Sequence, residues 1–182
     1  MNEFIEQNLT HIVALIIFLA RLSEILTTRL ISPTLKLGTN VLARRLGWKF
    51  AIATLAISAV PYYSVPLGAI FATACLLGSA SNATAIMRTR ALGEQESVNL
   101  MQLVISRTSV SMGIVYMFLP AAFYALLGCM ILFLYPNPMT DWGFYFAIGI
   151  LSHAFTISFW SIINFLSLKK KSQMAVTSAI IA

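Results

Sequence analysis

An arginine and a glutamate lie one helical turn apart in the first apolar run of the chain. Arg21 and Glu24 both fall within the run from Leu9 to Leu30. An ionisable side chain at membrane depth is costly unless it is paired, so it normally faces the interior of a helical bundle and marks a functional site. The pair therefore predicts either a polar pocket or ion path centred on the titratable Glu24, or an internal ion pair with a structural role.

Three further polar residues fall at a similar predicted depth. At about 1.5 Å per helical residue, Glu24 lies roughly 22 Å from the start of its run. Asn82 and Asn164 reach this level on two later runs, and Arg107 enters it from the opposite end. The predicted polar cluster thus comprises Arg21, Glu24, Asn82, Arg107 and Asn164. In the structural interpretation Glu24 neutralises Arg21 and Arg107, whereas in the functional one the cluster binds or conducts a solute.

The remaining chemistry-bearing residues predict no catalytic site. The chain contains no Cys-x-x-Cys, His-Glu-x-x-His or Gly-x-Ser-x-Gly sequence, and these are the patterns of thiol, zinc and serine chemistry in such contexts. Cys75 and Cys129 lie in apolar runs and are expected to be free thiols. His11 and His153 have different predicted depths, which disfavours a haem between them, and Ser109 is expected to cap its helix instead of pairing with His153. We expect no metal and no cofactor.

Long apolar runs joined by short connections must position these residues. The 182 residues are 59% hydrophobic and 10% charged, with a mean hydropathy of +0.84, a composition typical of integral membrane proteins. The pattern predicts an all-α membrane protein with about five transmembrane helices, as one domain over residues 1–171 with a short tail over residues 172–182. The net charge of +6 comes from helix ends, so we expect no nucleic-acid partner.

The Lys and Arg residues gather in three regions, Arg29–Lys49, Arg88–Arg107 and the triplet at 169–171, while the other connections carry almost none. Cytoplasmic loops hold the excess of Lys and Arg, so this alternation predicts an outer N-terminus and a cytoplasmic C-terminus. A bacterial-type inner membrane is the expected location. Contacts with anionic lipid headgroups are expected for the basic residues Arg44, Arg45, Lys169, Lys170 and Lys171.

The stretch from Trp48 to Met87 leaves two interpretations open. It has about twice the length of one span and is broken at Pro61–Pro66. An α-helix from Lys49 to Tyr62 would rise only about 21 Å, against a hydrocarbon core of about 30 Å. The stretch therefore forms either a re-entrant hairpin or two full crossings, and we expect the two full crossings. A short amphipathic interfacial helix is predicted before them, from Thr39 to Leu46.

The third predicted span carries a row of small residues. Small-xxx-small spacings let membrane helices approach closely. The predicted packing face consists of Gly68, Ala72, Ala74 and Gly78. It serves either the chain's own bundle or an interface between subunits.

These patterns favour a homo-oligomeric channel or transporter for an ion or small solute that uses the polar cluster around Glu24. The first alternative is a non-catalytic accessory or scaffold subunit of a larger membrane complex, because the chain is small and lacks catalytic motifs. A membrane-embedded lipid-modifying enzyme is the second alternative, although no adequate set of catalytic residues supports it.

Overall fold

The computed structural model describes residues 3–35, 37, 41–138 and 141–181, and the elements along these residues are all helices. The predicted all-α fold is confirmed. In chain order the elements are α1 (Glu3–Ile31), α2 (Val41–Ala53), a 3₁₀ helix (Thr54–Tyr62), α3 (Val65–Leu92), α4 (Glu94–Arg107), α5 (Val110–Leu134) and α6 (Trp142–Ile181). Because α6 continues to Ile181, residues 172–181 of the predicted tail extend the last helix.

In the part of the chain that the structure describes, four helical stretches are long and apolar enough to cross a membrane. They are Asn8–Ile31, Val65–Leu92, Val110–Leu134 and Trp142–Lys170. Only 11% to 28% of the residues in their most apolar windows are buried inside the protein, so most of their apolar surface is left for a lipid environment. They correspond to the run Leu9–Leu30, to the second half of the stretch Trp48–Met87 and to the two long apolar runs that follow it in the sequence, and they support a membrane-embedded protein.

Short polar sequences set the beginnings of two of these helices. The Ser64 side chain accepts a hydrogen bond from the Leu67 N–H at 3.5 Å at the start of α3, and Pro66 occupies the first turn, where an N–H has no helical partner. Ser109 caps α5 in the same way, because it accepts from the Met112 N–H at 3.3 Å. The serine therefore acts as the predicted helix cap.

Helices α1 and α3 pack side by side and run in the same direction. Near their N-terminal ends, a Cβ added at Gly68 would lie 3.0 Å from Cγ1 of Val13. Closer to their C-terminal ends, the Asn82 amide donates to Oγ1 of Thr28 at 2.9 Å. The residue offset between partners is nearly the same at both levels, so the helices are parallel. The intervening chain must therefore return along the length of α1.

The 3₁₀ helix makes this return. His11 Nδ1 and the Tyr62 hydroxyl are 2.9 Å apart at one end, and Arg21 Nε donates to Thr54 Oγ1 at 2.8 Å at the other. A 3₁₀ helix rises about 2.0 Å per residue, so the segment Lys49–Tyr62 covers about 25 Å and not the roughly 21 Å of a pure α-helix. The predicted second crossing thus corresponds to two short helices, neither of which belongs to the four long ones.

Helices α5 and α6 form an antiparallel pair. A Cβ at Gly113 would lie 2.0 Å from Cζ of Phe165, and one at Gly128 would lie 2.8 Å from Cγ of Leu151. Both glycines therefore let a large side chain of α6 approach the backbone of α5. Because α6 also packs on α3, the long helices follow one another in the order α1, α3, α6, α5.

A lysine on the C-terminal part of α6 bonds to the end of α4. Lys169 Nζ donates to the backbone carbonyls of Ile105, Ser106 and Thr108 at 3.1, 2.8 and 2.8 Å. The last carbonyls of an α-helix have no helical partner, and a cation near this end also interacts favourably with the helix dipole. Lys169 therefore fixes the end of α4 against α6.

Candidate functional site

Arg21 and Glu24 form an ion pair between side chains that are 18% and 26% exposed. Both residues lie on α1, one turn apart, and Arg21 Nε also donates to Thr54 Oγ1 of the 3₁₀ helix at 2.8 Å. The guanidinium is thus held by a carboxylate on its own helix and a hydroxyl on the neighbouring one. This geometry contains the predicted pairing of Glu24 with Arg21.

Helix α3 leaves room for the carboxylate because it carries glycine at the closest point. A Cβ at Gly78 would lie 3.1 Å from Cδ of Glu24, closer than an ordinary van der Waals contact. One turn earlier, the buried Cys75 thiol lies beside Arg21 and Glu24. Glu24 is therefore enclosed by α3 and does not face lipid on this side.

Asn82 extends the polar contacts between α1 and α3. Its amide nitrogen lies 2.9 Å from Oγ1 of Thr28, 3.4 Å from Oγ1 of Thr27 and 3.5 Å from the carbonyl oxygen of Glu24. The Thr28 hydroxyl in turn donates to the Glu24 carbonyl at 2.7 Å. The side chain of Asn82 is therefore oriented by the turn of α1 that follows Glu24.

These groups line a cavity of about 130 Å³, named the polar cavity here, between α1, α2 and α3. Its polar and aromatic lining residues include Arg21, Glu24, Thr28, Arg44, Trp48 and Asn82. Arg44 forms no ion pair with any residue in the described part of the chain. The described lining thus holds two guanidinium groups and one carboxylate, so its formal charge is positive.

Gly47 allows both halves of α2 to reach the polar cavity. Its backbone has φ 72° and ψ −164°, a conformation that is essentially restricted to glycine. Arg44 precedes this break and Trp48 follows it, and both side chains line the cavity. Trp48 Nε1 also donates to the Pro33 carbonyl at 3.0 Å, which attaches the second half of α2 to the connection after α1.

The structure brings together only three of the five residues predicted as one cluster. Arg107 is exposed on the last turn of α4 and forms no ion pair with Glu24. Asn164 is buried in a separate cavity between α4, α5 and α6. Depth along the membrane was predicted from residue number, but α3 lies between α1 and α6. Residues with the same predicted depth on α1 and α6 are therefore separated laterally by α3.

The small-residue face of α3 packs within the same chain. Gly68 lies against Val13 and Pro61, Ala72 belongs to a buried cluster with Val13, and Gly78 lies against Glu24. Ala74 is partly buried. Three of the four predicted residues therefore have their close contacts inside the chain's own bundle.

The basic residues predicted to contact headgroups divide into two groups. Arg45 and Lys170 are exposed, whereas Arg44 lines the polar cavity and Lys169 bonds to α4. The Lys171 side chain and residues Thr39 and Asn40 of the predicted interfacial helix lie outside what the structure describes. The described part of that helix ends where α2 breaks at Gly47.

The histidines lie apart from each other and from Ser109. His11 contacts Tyr62, while His153 is buried with its ring edge against Tyr124. Ser109 caps the end of α5 that meets Phe165, and Phe165 is about 18 Å along α6 from His153. The structure therefore does not bring a serine–histidine pair together at these positions.

The site also contains residues that were not predicted as part of it, among them Thr28, Arg44, Thr54 and Cys75. Thr28 could have been found, because it follows Glu24 at a spacing of four and shares its helix face. Arg44, Thr54 and Cys75 come from other elements, and single-sequence spacing contains no signal for contacts of that kind.

Comparison of the chain with protein-family models, curated proteins and solved structures gives no match.

Proposed function

We propose that the protein is a membrane transporter that binds a small anionic solute in the polar cavity. One observation carries this proposal: Arg44 and Arg21 line the same cavity, while only Arg21 has a carboxylate partner in the described lining. A guanidinium group binds carboxylate or phosphate oxygens through paired N–H donors. The second guanidinium therefore offers an anion site beside a pair that is already neutral.

The position of the charges favours binding within one chain. Arg21 faces the 3₁₀ helix and Glu24 faces α3, while Asn82 of α3 faces α1, all within one chain. A channel along an oligomer axis would need these groups on an outer surface, so a carrier with a solute site in each subunit fits the contacts better. Homo-oligomerisation is a separate proposal, which native mass spectrometry of the detergent-extracted particle tests directly.

We propose that the chain crosses the membrane five times, with an outer N-terminus and a cytoplasmic C-terminus. The support is the clustering of Lys and Arg together with the course of the 3₁₀ helix, which extends from the level of Arg21 to that of His11. In this topology the polar cavity lies near the cytoplasmic face. Labelling of a single cysteine at Ser64 by an impermeant reagent, from outside intact cells, tests the second crossing.

Two adjacent arginines provide a matched test of the anion site. Purified protein in liposomes is assayed for uptake of radiolabelled phosphate, acetate and chloride. Arg44→Gln removes the cavity guanidinium, whereas Arg45→Gln removes the same charge from an exposed position on the same helix. We expect uptake of at least one anion to fall about tenfold or more with Arg44→Gln, and to stay near the unmodified level with Arg45→Gln.

Equal effects of the two substitutions would contradict the proposed anion site. Absence of uptake for all three anions, together with stoichiometric co-purification of other membrane proteins, would favour the accessory-subunit alternative. Uptake of a cation that is insensitive to Arg44→Gln would place the transported solute elsewhere.

A further inference from the structure

A second cavity, named the apolar cavity here, lies between α4, α5 and α6 and has a volume of about 270 Å³. Its walls include Leu100, Met101 and Val104 of α4 and Met117 of α5. Leu100 is 46% and Val104 55% exposed, so the cavity opens at the protein surface. Leu37, from the connection after α1, completes the wall, and the polar residues of the described lining are Ser97, Ser161 and Asn164, with no charged residue among them.

Asn164 on α6 lines this cavity, and its side-chain oxygen lacks a hydrogen-bond donor. It is only 6% exposed, and its buried Oδ1 has no hydrogen-bond partner among the described residues. Buried polar side-chain atoms are nearly always hydrogen-bonded, so each exception needs an explanation. Within a membrane-embedded helix, water is also scarce as an alternative partner.

The neighbouring residues keep Asn164 in this position. Phe165, the next residue on α6, is 2% exposed and lies against Gly113 of α5. Lys169, five residues further along α6, is bonded to the end of α4. These contacts hold the part of α6 that follows Asn164 against α5 and α4, so Asn164 keeps its place in the wall of the cavity.

We propose that the apolar cavity binds an uncharged, mainly aliphatic molecule that carries a hydroxyl group, and that this hydroxyl bonds to Asn164. A hydroxyl both donates and accepts, so it can donate to Oδ1 and accept from Nδ2 of the amide. The aliphatic part would contact Leu100, Met101 and Met117. Methionine is unbranched and adapts to ligands of irregular shape.

Other lipid-like groups fit this cavity less well. A carboxylate has no donor for Oδ1, and it would bring a negative charge to a lining without a cation. The nearest basic residue along α6 is Lys169, whose ammonium already donates to three carbonyls of α4 and the following residues. An ether or an alkane would leave Oδ1 unpaired. Of these groups, the hydroxyl is the one that supplies a donor for Oδ1 without bringing a charge.

Photolabelling of the full-length protein in phosphatidylcholine nanodiscs tests this site. The probe is hexadecanol with a diazirine in the chain, and the matched probe is its methyl ether, which cannot donate a hydrogen bond. Labelled peptides are identified by mass spectrometry. We expect the alcohol to label peptides of α4 and α6 saturably, in competition with unmodified hexadecanol, and about tenfold more than the ether does.

Asn164→Leu is the corresponding variant, because leucine is similar in size and needs no hydrogen bond. It should reduce labelling of these peptides by the alcohol about tenfold and leave labelling by the ether unchanged. A third cavity of about 400 Å³ between α5 and α6, with Phe118 and Phe159 in its lining, provides an internal control. Labelling there should be equal for both probes and insensitive to Asn164→Leu.

Two results would overturn the proposal. The first is equal labelling by alcohol and ether, or alcohol labelling that survives Asn164→Leu, since the cavity would then hold acyl chains without recognising a hydroxyl. The second is the absence of saturable labelling in α4 and α6. If Asn164→Leu does not accumulate, Val104→Trp fills the cavity from a half-exposed position, and alcohol labelling that persists in that variant would equally exclude the site.

Discussion

The two asparagines that the sequence predicts at similar depth, Asn82 and Asn164, have opposite surroundings. Asn82 on α3 meets two threonine hydroxyls and a carbonyl oxygen of α1. Asn164 on α6 lines a mainly apolar cavity with leucine, methionine and phenylalanine side chains and two serines, and its Oδ1 has no partner among the described residues. The same side chain is therefore a satisfied part of the helix packing in the polar cavity and an unsatisfied group in the apolar cavity.

Whether a polar side chain has a hydrogen-bond partner distinguishes a structural role from a binding role more clearly than its burial does. A satisfied polar group stabilises the arrangement that satisfies it, and its removal is costly. An unsatisfied one destabilises the empty protein, so its retention needs another reason, such as a ligand. In the polar cavity the group without a partner of opposite charge in the described lining is Arg44, and in the apolar cavity the group without a hydrogen-bond partner is Asn164.

The largest effect is expected where the charges of the polar cavity are paired. Arg21→Met leaves Glu24 without its partner, and breaking a buried ion pair costs about 3 kcal/mol or more in stability. We expect the variant to accumulate poorly and to unfold at a lower temperature in nanodiscs. Arg29→Met, at an exposed position on the last turn of the same helix, should change the free energy of unfolding by less than about 0.5 kcal/mol.

The double variant Arg21→Met/Glu24→Gln sharpens this test, because it removes both charges. It should recover most of the lost stability, since an ion pair replaced as a whole is often nearly neutral. Equal losses for Arg21→Met and Arg29→Met would mean that the pair does not hold α1 in place. Glu24→Gln alone, if it accumulates normally but loses uptake, would assign Glu24 a direct part in transport.

The sequence alone predicted the elements of this fold better than their arrangement. Apolar length and Lys/Arg clustering located four long helices, because these properties depend on each segment alone. The interruption at Pro61–Pro66 was visible in the sequence, but the 3₁₀ geometry that lengthens Thr54–Tyr62 was not. Helix type there depends on packing against α1, which no local pattern encodes.

The candidate site shows the same limit. Arg21 and Glu24 could be paired from their spacing, and Asn82 could be placed with them by depth. Depth also grouped Asn164 with them. That grouping is wrong, because α3 lies between α1 and α6 and separates Asn164 from the pair. Arg44 was assigned to headgroups, since nothing local predicts that the break at Gly47 brings it to the cavity.

An intermediate effect, of opposite sign at the two sites, is expected from replacing each asparagine with leucine. Asn82→Leu loses the bonds to Thr28 and Thr27, so we expect a destabilisation of about 2 kcal/mol. Asn164→Leu removes an unpaired buried amide, so we expect a gain of about 1 kcal/mol in the ligand-free protein. Thermal unfolding of both variants in the same nanodiscs measures the difference.

Destabilisation by both substitutions to the same extent would remove the contrast between the cavities. It would mean that Asn164 has a structural partner, and the case for a bound hydroxyl would fail with it. A gain from Asn164→Leu that disappears when hexadecanol is added would strengthen that case, because the ligand stabilises only the protein that binds it.

The smallest effect concerns how each cavity is kept in shape. Side chains inside the polar cavity bond to one another, whereas the wall of the apolar cavity is attached at its rim, where Lys169 bonds to the carbonyls that end α4. Lys169→Met should lower the local stability of this end by about 1 kcal/mol, and amide exchange in the last turn of α4 should rise about fivefold. Lys170→Met removes the same charge from an exposed neighbour and should leave this exchange unchanged.

If both variants raise amide exchange equally, the effect comes from the charge of the region, and the rim contact does not set the shape of the cavity. If only Lys169→Met raises it and hexadecanol labelling falls in parallel, the wall provided by α4 is required for binding.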